Sequence, residues 1–312
     1  VQTTVMTVPD PADPAGFDNL LESVDAAARA GFGRFWLPQL PPVPGLAAWD
    51  ALTALAVAGA RTPGIELATG VVVAQTQHPL VLARQALTTA AATGGRLILG
   101  IGVSHRWVIS DIFGYDFSAP AGYLREYLRV LIPALAGEAV DHHGTRITAV
   151  GQLTPVKTGA PPIIAAALGP RMLRLAGELT DGTVTTWTGP RGLAEHIIPT
   201  ITQAARAAGR PAPQVIAGLP VSVTSDVDGT REQLAQTFAM AGEAPAYRAV
   251  LDLDGAQSAA DISIVGTEEQ VLAHLRRFAD IGVTEFTAFP FGDAATQART
   301  TELLAANRDA FA

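Results

Sequence analysis

The feature that most constrains this chain is an alternation, kept from one end to the other, of short β-rich runs with longer helical runs, punctuated by Gly, Pro and Asp. Eight runs have the length and apolarity of strands, at residues 3–8, 34–38, 65–73, 96–102, 162–168, 182–187, 214–223 and 284–289. Several are almost continuously apolar, as parallel strands covered on both faces must be. The runs between them carry helix-boundary chemistry. Thr267 with Gln270 has the spacing of a capping box, Val271, Leu272, Leu275, Phe278 and Ala279 mark one apolar face, and Gly282 stands where a helix would stop. Helix, glycine, then strand recurs in AAARAGFGRFWL and AGELTDGTVTTW. Eight such units predict an α/β fold, a (β/α)8 TIM barrel. A barrel of this kind accommodates all 312 residues, so residues 1–312 read as one barrel domain. About residues 104–160 exceed a bare repeat and read as a rim insertion, part of it a small hairpin in GEAVDHHGTRITAVGQL.

Composition narrows the chemistry. Hydrophobic residues at 48% against 16% charged supply a large core. With no cysteine there is no disulfide, thiolate metal site or cysteine nucleophile. His142 and His143 are adjacent and would face opposite sides of a strand, His196 and His274 lie in separate helical runs, and no HExxH spacing occurs, so no metal site is expected. Neither a G-x-S-x-G elbow nor a P-loop is present. A net charge of −8 weighs against nucleic acid and anionic membrane surfaces as partners, and no apolar run has the length of a membrane span. The N-terminal stretch VQTTVMTVPDPADPAG lacks a basic segment followed by an apolar run, so a cytoplasmic location is expected.

The stretch GGRLILGIGVSH, residues 94–105, admits three readings: a dinucleotide loop, a strand whose glycines serve packing, or the mouth of an active site. The first fails because His105 stands where the third glycine of G-x-G-x-x-G belongs, and the run follows the fourth strand of the chain. The mouth of a barrel collects functional groups at strand ends, which places Ser104 and His105 there. In AALGPRML, Gly169 can approach an anion and Pro170 suits the first helical position, so the turn reads as a phosphate site or as an ordinary strand-to-helix junction. Gly70 inside an apolar run marks a bulge or a close backbone approach. His78, before Pro79, reads as a capping residue. Trp36, Trp107 and Trp187 fall at or just past strand ends, where aromatic rings are core or the walls of a planar cofactor. Gln39 is a polar group at the same rim.

TGVVVAQTQHPLVLARQALTTAAATGGRLILGIGVSH, with AALGPRMLRLAGELTDGTVTTW and FADIGVTEFTAFPFG, resembles the bacterial luciferase-like monooxygenase superfamily, and within it the actinobacterial F420-dependent oxidoreductases. The resemblance spans nearly the whole chain. It implies a (β/α)8 barrel, usually a homodimer, that binds the deazaflavin F420 or, in the alternative, FMN. It implies a non-prolyl cis bond at Gly70–Val71 behind the ring, Gly102 and Ser104 along the cofactor, and its phosphate at Leu168, Gly169 and Pro170, with Trp187 nearby. Sugar-phosphate and alcohol dehydrogenases of the superfamily carry an acidic/basic pair where this chain has Gln39-Leu40, and the sugar-phosphate enzymes a glutamate where it has His105. The implied activity is hydride transfer between deazaflavin C5 and a small organic substrate, with His105 and then Gln39 as candidate catalytic residues. An FMN-dependent monooxygenase and a non-catalytic flavin- or F420-binding protein are the alternatives.

Overall fold

The computed structural model describes residues 1–8, 16–47 and 49–308. Residues 9–15 of the N-terminal stretch lie outside them. The elements run β1 (Gln2–Met6), α1 (Gly16–Arg29), β2 (Arg34–Leu37), α2 (Ala51–Arg61), β3 (Glu66–Thr69), β4 (Val72–Val73), α3 (Pro79–Ala92), β5 (Leu97–Gly102), α4 (Pro120–Ala136), β6 (Val140–His143), β7 (Thr148–Gly151) and β8 (Ile163–Ala166). They continue as α5 (Pro170–Leu179), β9 (Gly182–Thr186), α6 (Pro190–Gly192), α7 (Ile198–Ala207), β10 (Gln214–Val223), α8 (Val227–Thr237), α9 (Ala239–Glu243), α10 (Pro245–Asp254), α11 (Ala259–Ile262), β11 (Ile264–Gly266), α12 (Glu268–Asp280), β12 (Glu285–Pro290) and α13 (Ala294–Ala306). Two π-helical turns, Trp107–Ile112 and Leu193–Ile197, precede α4 and α7.

Parallel strands hydrogen-bond in the order β10, β12, β1, β2, β3, β5, β8, β9, and β9 pairs back to β10. This is the (β/α)8 barrel that the alternation predicts. All eight sequence runs contain a barrel strand, and β6 with β7 forms the separate antiparallel hairpin expected within the rim insertion. Three features differ from the sequence reading. The run 65–73 is not one strand but β3 and β4, parted at Gly70–Val71. β11 pairs in parallel with the last three residues of β10 and has only three residues, too few for a periodic signal. Residues 227–262 fold into four helices, α8 to α11, where the alternation suggested one crossover.

Contacts group the chain into two compact units, Val1–Thr7 with Arg29–Gly33 and Ala167–Ala312, and Val8–Ala28 with Arg34–Ala166. In the second unit Leu55, Leu67, Leu82, Leu97 and Leu99 are fully buried with Tyr127. Burying each such leucine contributes about 1.5–3 kcal/mol. At the start of β2 and β3, Arg34 pairs with Glu66 at 2.9 Å. In the first unit the capping box forms as its spacing predicts, with Gln270 N–H donating to Thr267 and the Gln270 side chain accepting from the Thr267 N–H. Val271, Leu275 and Phe278 of α12 are buried, and the Phe278 ring lies 5.1 Å from that of Phe286 on β12. Buried Thr4 donates to Glu285 at 2.7 Å. No helix among the described residues is long and apolar enough to cross a membrane.

Candidate functional site

In the second unit the G-x-G run of β5 lies against the break between β3 and β4. Gly70 N–H donates to the Leu37 carbonyl at 2.8 Å, and the buried Thr69 hydroxyl donates to the Gly100 carbonyl at 2.8 Å. The Gly70–Val71 peptide bond is cis. A Cβ at Gly100 would stand 1.8 Å from the Thr69 carbonyl oxygen, and one at Gly102 would stand 2.8 Å from Val71 Cγ2 and 3.2 Å from Ala166 Cβ. Both glycines are therefore required by close packing of β5, and Gly102 acts on its surroundings by letting Val71 lie back. Gly102→Val should overpack this contact and cost about 1–3 kcal/mol. Thermal unfolding is expected to show a lowered Tm; an unchanged Tm would mean that Val71 gives way freely.

Past the end of β5, Ser104 has φ 57°, and past the end of β9, Trp187 has φ 57°. These are the two non-glycine residues with positive φ among those described. Such a backbone costs on the order of 1–3 kcal/mol per residue and concentrates at binding sites. His105 follows Ser104 and starts the helical segment, its carbonyl accepting from Ile109 N–H at 3.0 Å. Burial pushes the His105 imidazole below its ordinary value of 6.5, so the ring is neutral at pH 7. Gln39 uses its side-chain oxygen to accept from Ala51 N–H at 2.8 Å, at the first turn of α2. An amide does not ionise near neutrality, so of these two residues only His105 can exchange a proton.

His78 caps α3 as its place before Pro79 suggests. Its Nδ1 accepts from Leu80 N–H at 3.3 Å, which leaves the proton on Nε2 to be donated to the Thr148 carbonyl at 3.0 Å. Beside it opens a cleft of about 360 Å³ between Gln75–Pro79, Tyr115, Tyr123 and Arg146–Thr148. Its walls are braced. Tyr127 OH donates to the Gln77 carbonyl at 3.0 Å, and the Glu126 carboxylate accepts from Arg146 N–H at 3.0 Å and Ile147 N–H at 3.2 Å. Arg146 also pairs with Asp116, whose carboxyl is held at about 2 by hydrogen bonds from Ser118 and Arg146. Sequence reading missed Tyr123 and Arg146, which come from α4 and the hairpin and carry no local signal.

In the first unit Leu168 and Gly169 lead into α5. Gly169 is the N-cap with no side-chain cap, Pro170 is the first helical residue, and nothing lies within 4 Å of the position a Gly169 Cβ would take. The other helices of this unit that directly follow a strand have filled starts. Asp226 caps α8, Thr267 α12 and Asp293 α13. At the start of α6, the Asp254 carboxylate accepts from Gly189, Arg191 and Gly192 N–H at 3.0, 2.9 and 3.1 Å. α5 is thus the strand-following helix whose free amides and positive dipole end stay open to an anion. His196, passed over in the sequence, reaches the Leu168 carbonyl with Nε2 at 2.8 Å. The Trp187 ring is buried in an apolar cluster with Leu251 and Ala259, 4.8 Å from the Phe238 ring. It is therefore a core side chain, as is fully buried Trp36, whereas Trp107 is exposed.

The family model for luciferase-like monooxygenases matches residues 3–285. The chain is 29% identical over 269 residues to a 5,10-methylenetetrahydromethanopterin reductase of Methanolobus tindarius, covering 77% of this chain and 81% of that protein. It is 29% identical over 183 residues to an F420-dependent glucose-6-phosphate dehydrogenase of Nocardia farcinica, covering 56% of this chain and 54% of that protein. Among solved structures, the oxygenating constituent of 3,6-diketocamphane monooxygenase from Pseudomonas putida, in complex with FMN, superposes with a TM-score of 0.77 at 18% identity, covering 97% of this chain and 96% of that one.

Proposed function

The chain belongs to the luciferase-like monooxygenase family, and from that premise we propose that it is an F420-dependent oxidoreductase acting on a small organic substrate. The observation that carries this reading is its sequence likeness to a relative named for F420, joined to an α5 N-terminus left open for a phosphate. The residues present fit such a cofactor. Free amides at the start of α5, with room beside Gly169, suit a phosphodiester, and the rim at Ser104 and His105 lies at the strand end where a barrel keeps its reactive groups.

When bound, deazaflavin supplies a two-electron hydride exchange at C5. The protein's part is to hold, orient and move one proton. Gly169, Pro170 and the first turn of α5 would fix the phosphate end. Neutral His105 would accept the proton of a substrate hydroxyl as it is oxidised, or return one, once protonated, in the reverse direction. Gln39, whose oxygen accepts from Ala51 N–H, would offer its NH2 group as a donor to substrate.

An FMN-dependent monooxygenase is the second reading, favoured by the fold shared with the FMN-bound Pseudomonas enzyme. Fluorescence titration of the apo-protein with F420 and FMN separates the two, followed by turnover with reduced cofactor and a panel of enones, imines and quinones. Tighter binding of F420, with turnover that consumes no oxygen, is expected. Preference for FMN with substrate-coupled oxygen uptake would replace the proposal by the second reading, and binding without any turnover would leave a carrier.

A further inference from the structure

We propose that His196 is a positioning residue for the cofactor phosphate, which sets the direction in which the Gly169 amide points; this rests on the reading of the α5 N-terminus as the phosphate site. α5 and α7 pack closely because residue 177 is glycine: a Cβ there would lie 2.5 Å from the Ile201 carbonyl oxygen and 2.8 Å from Ala204 Cβ. That contact brings the π-helical turn Leu193–Ile197 beside the loop between β8 and α5, and His196 reaches Leu168 from it. A carbonyl oxygen only accepts, so Nε2 of His196 carries the proton and donates to Leu168 O at 2.8 Å.

The Leu168–Gly169 peptide is trans, which puts its N–H on the edge opposite its C=O. With the carbonyl held by His196, the Gly169 N–H is turned away from that residue, to join the amides of the first turn. Among the described residues none accepts from the N–H groups of Gly169, Arg171 or Met172, and Pro170 has no N–H to compete. The lock matters because glycine rotates readily, so this peptide could flip at little cost. A flipped peptide would present its carbonyl oxygen in place of a donor and repel an anion. The neighbouring helix start offers no substitute, since Asp254 already takes its amides.

The test uses two ligand pairs that differ in the phosphate end: F420 with its deazariboflavin chromophore, and FMN with riboflavin. Dissociation constants are measured by fluorescence on the apo-protein and on His196→Ala, His196→Gln and His196→Phe, with folding followed by circular dichroism. The phosphate-bearing member of the pair that binds should weaken about tenfold in His196→Ala and His196→Phe, the scale of one lost hydrogen bond. Its phosphate-free partner should stay within about twofold, and His196→Gln, which keeps a donor, should recover most of the loss. If the alanine variant does not fold, the Gln and Phe variants give the same comparison at similar size. Equal weakening of both members of a pair, or no weakening of either, overturns the proposal. A wild-type protein that binds the phosphate-free partner as tightly overturns the phosphate reading of α5 together with it. Loss of discrimination seen only in the FMN pair would sustain the role of His196 while removing F420 as the cofactor.

Discussion

His105→Ala is expected to lower kcat by about 10²–10⁴-fold, the usual contribution of a positioned acid or base, with the cofactor dissociation constant changed little. The expectation rests on place and on charge. His105 follows β5 on the rim where barrel strands end, and burial keeps its ring neutral at pH 7. The direction of the pH effect follows. A neutral imidazole is competent as a base, so substrate oxidation should be flat above pH 6.5 and fall as acid protonates the ring below it. The reverse reaction needs the protonated ring and should rise over the same acid range. Both limbs should vanish in His105→Ala. Retained kcat with weakened binding would make His105 a binding residue, and a variant unchanged in both would remove it from the chemistry, leaving the proton to a substrate group.

Gly169→Asp is expected to weaken binding of F420, or of FMN, by about 10²–10³-fold without destabilising the protein. Two like charges about 4 Å apart at the protein surface repel by about 4 kcal/mol, and each 1.4 kcal/mol is tenfold in affinity. Gly169 has φ −82° and ψ 155°, a conformation open to any residue, and no atom within 4 Å would meet the new Cβ. Aspartate there would cap α5, worth roughly a few tenths of a kcal/mol over the glycine it replaces. A Tm that holds or rises together with collapsed affinity is the distinctive outcome. A well-folded variant with normal affinity would show that the phosphate does not sit at α5.

The strands were legible because their signal is local: an apolar run bounded by Gly, Pro or Asp reads the same wherever its partners lie. Helix starts were legible for the same reason, in Thr267 with Gln270 and in His78 before Pro79, since a cap bonds within its own turn. In the residues themselves the break in 65–73 was visible only as a glycine within a strand, the cis bond coming from the family resemblance. What Gly100 and Gly102 avoid, the Thr69 carbonyl and the Val71 side chain, belongs to the end of β3 and the break after it, about 30 residues away, and left no local trace.

For the site, the chain by itself determined which residues stand at strand ends, because element order and length place Gln39, Ser104, His105 and Gly169 there in any barrel of this sequence. The tertiary structure decided what each one faces. Gln39 is engaged by the start of α2, Trp187 turns into an apolar cluster with residues of α9 to α11, and Asp254 fills one helix start while α5 stays open. His196 meets Leu168 from 28 residues away, and Asp254 meets its amides from more than 60. Backbone hydrogen bonds and apolar periodicity are near-neighbour properties written in the order of residues, whereas the partner of a side chain depends on how helices pack, which the order of residues does not state.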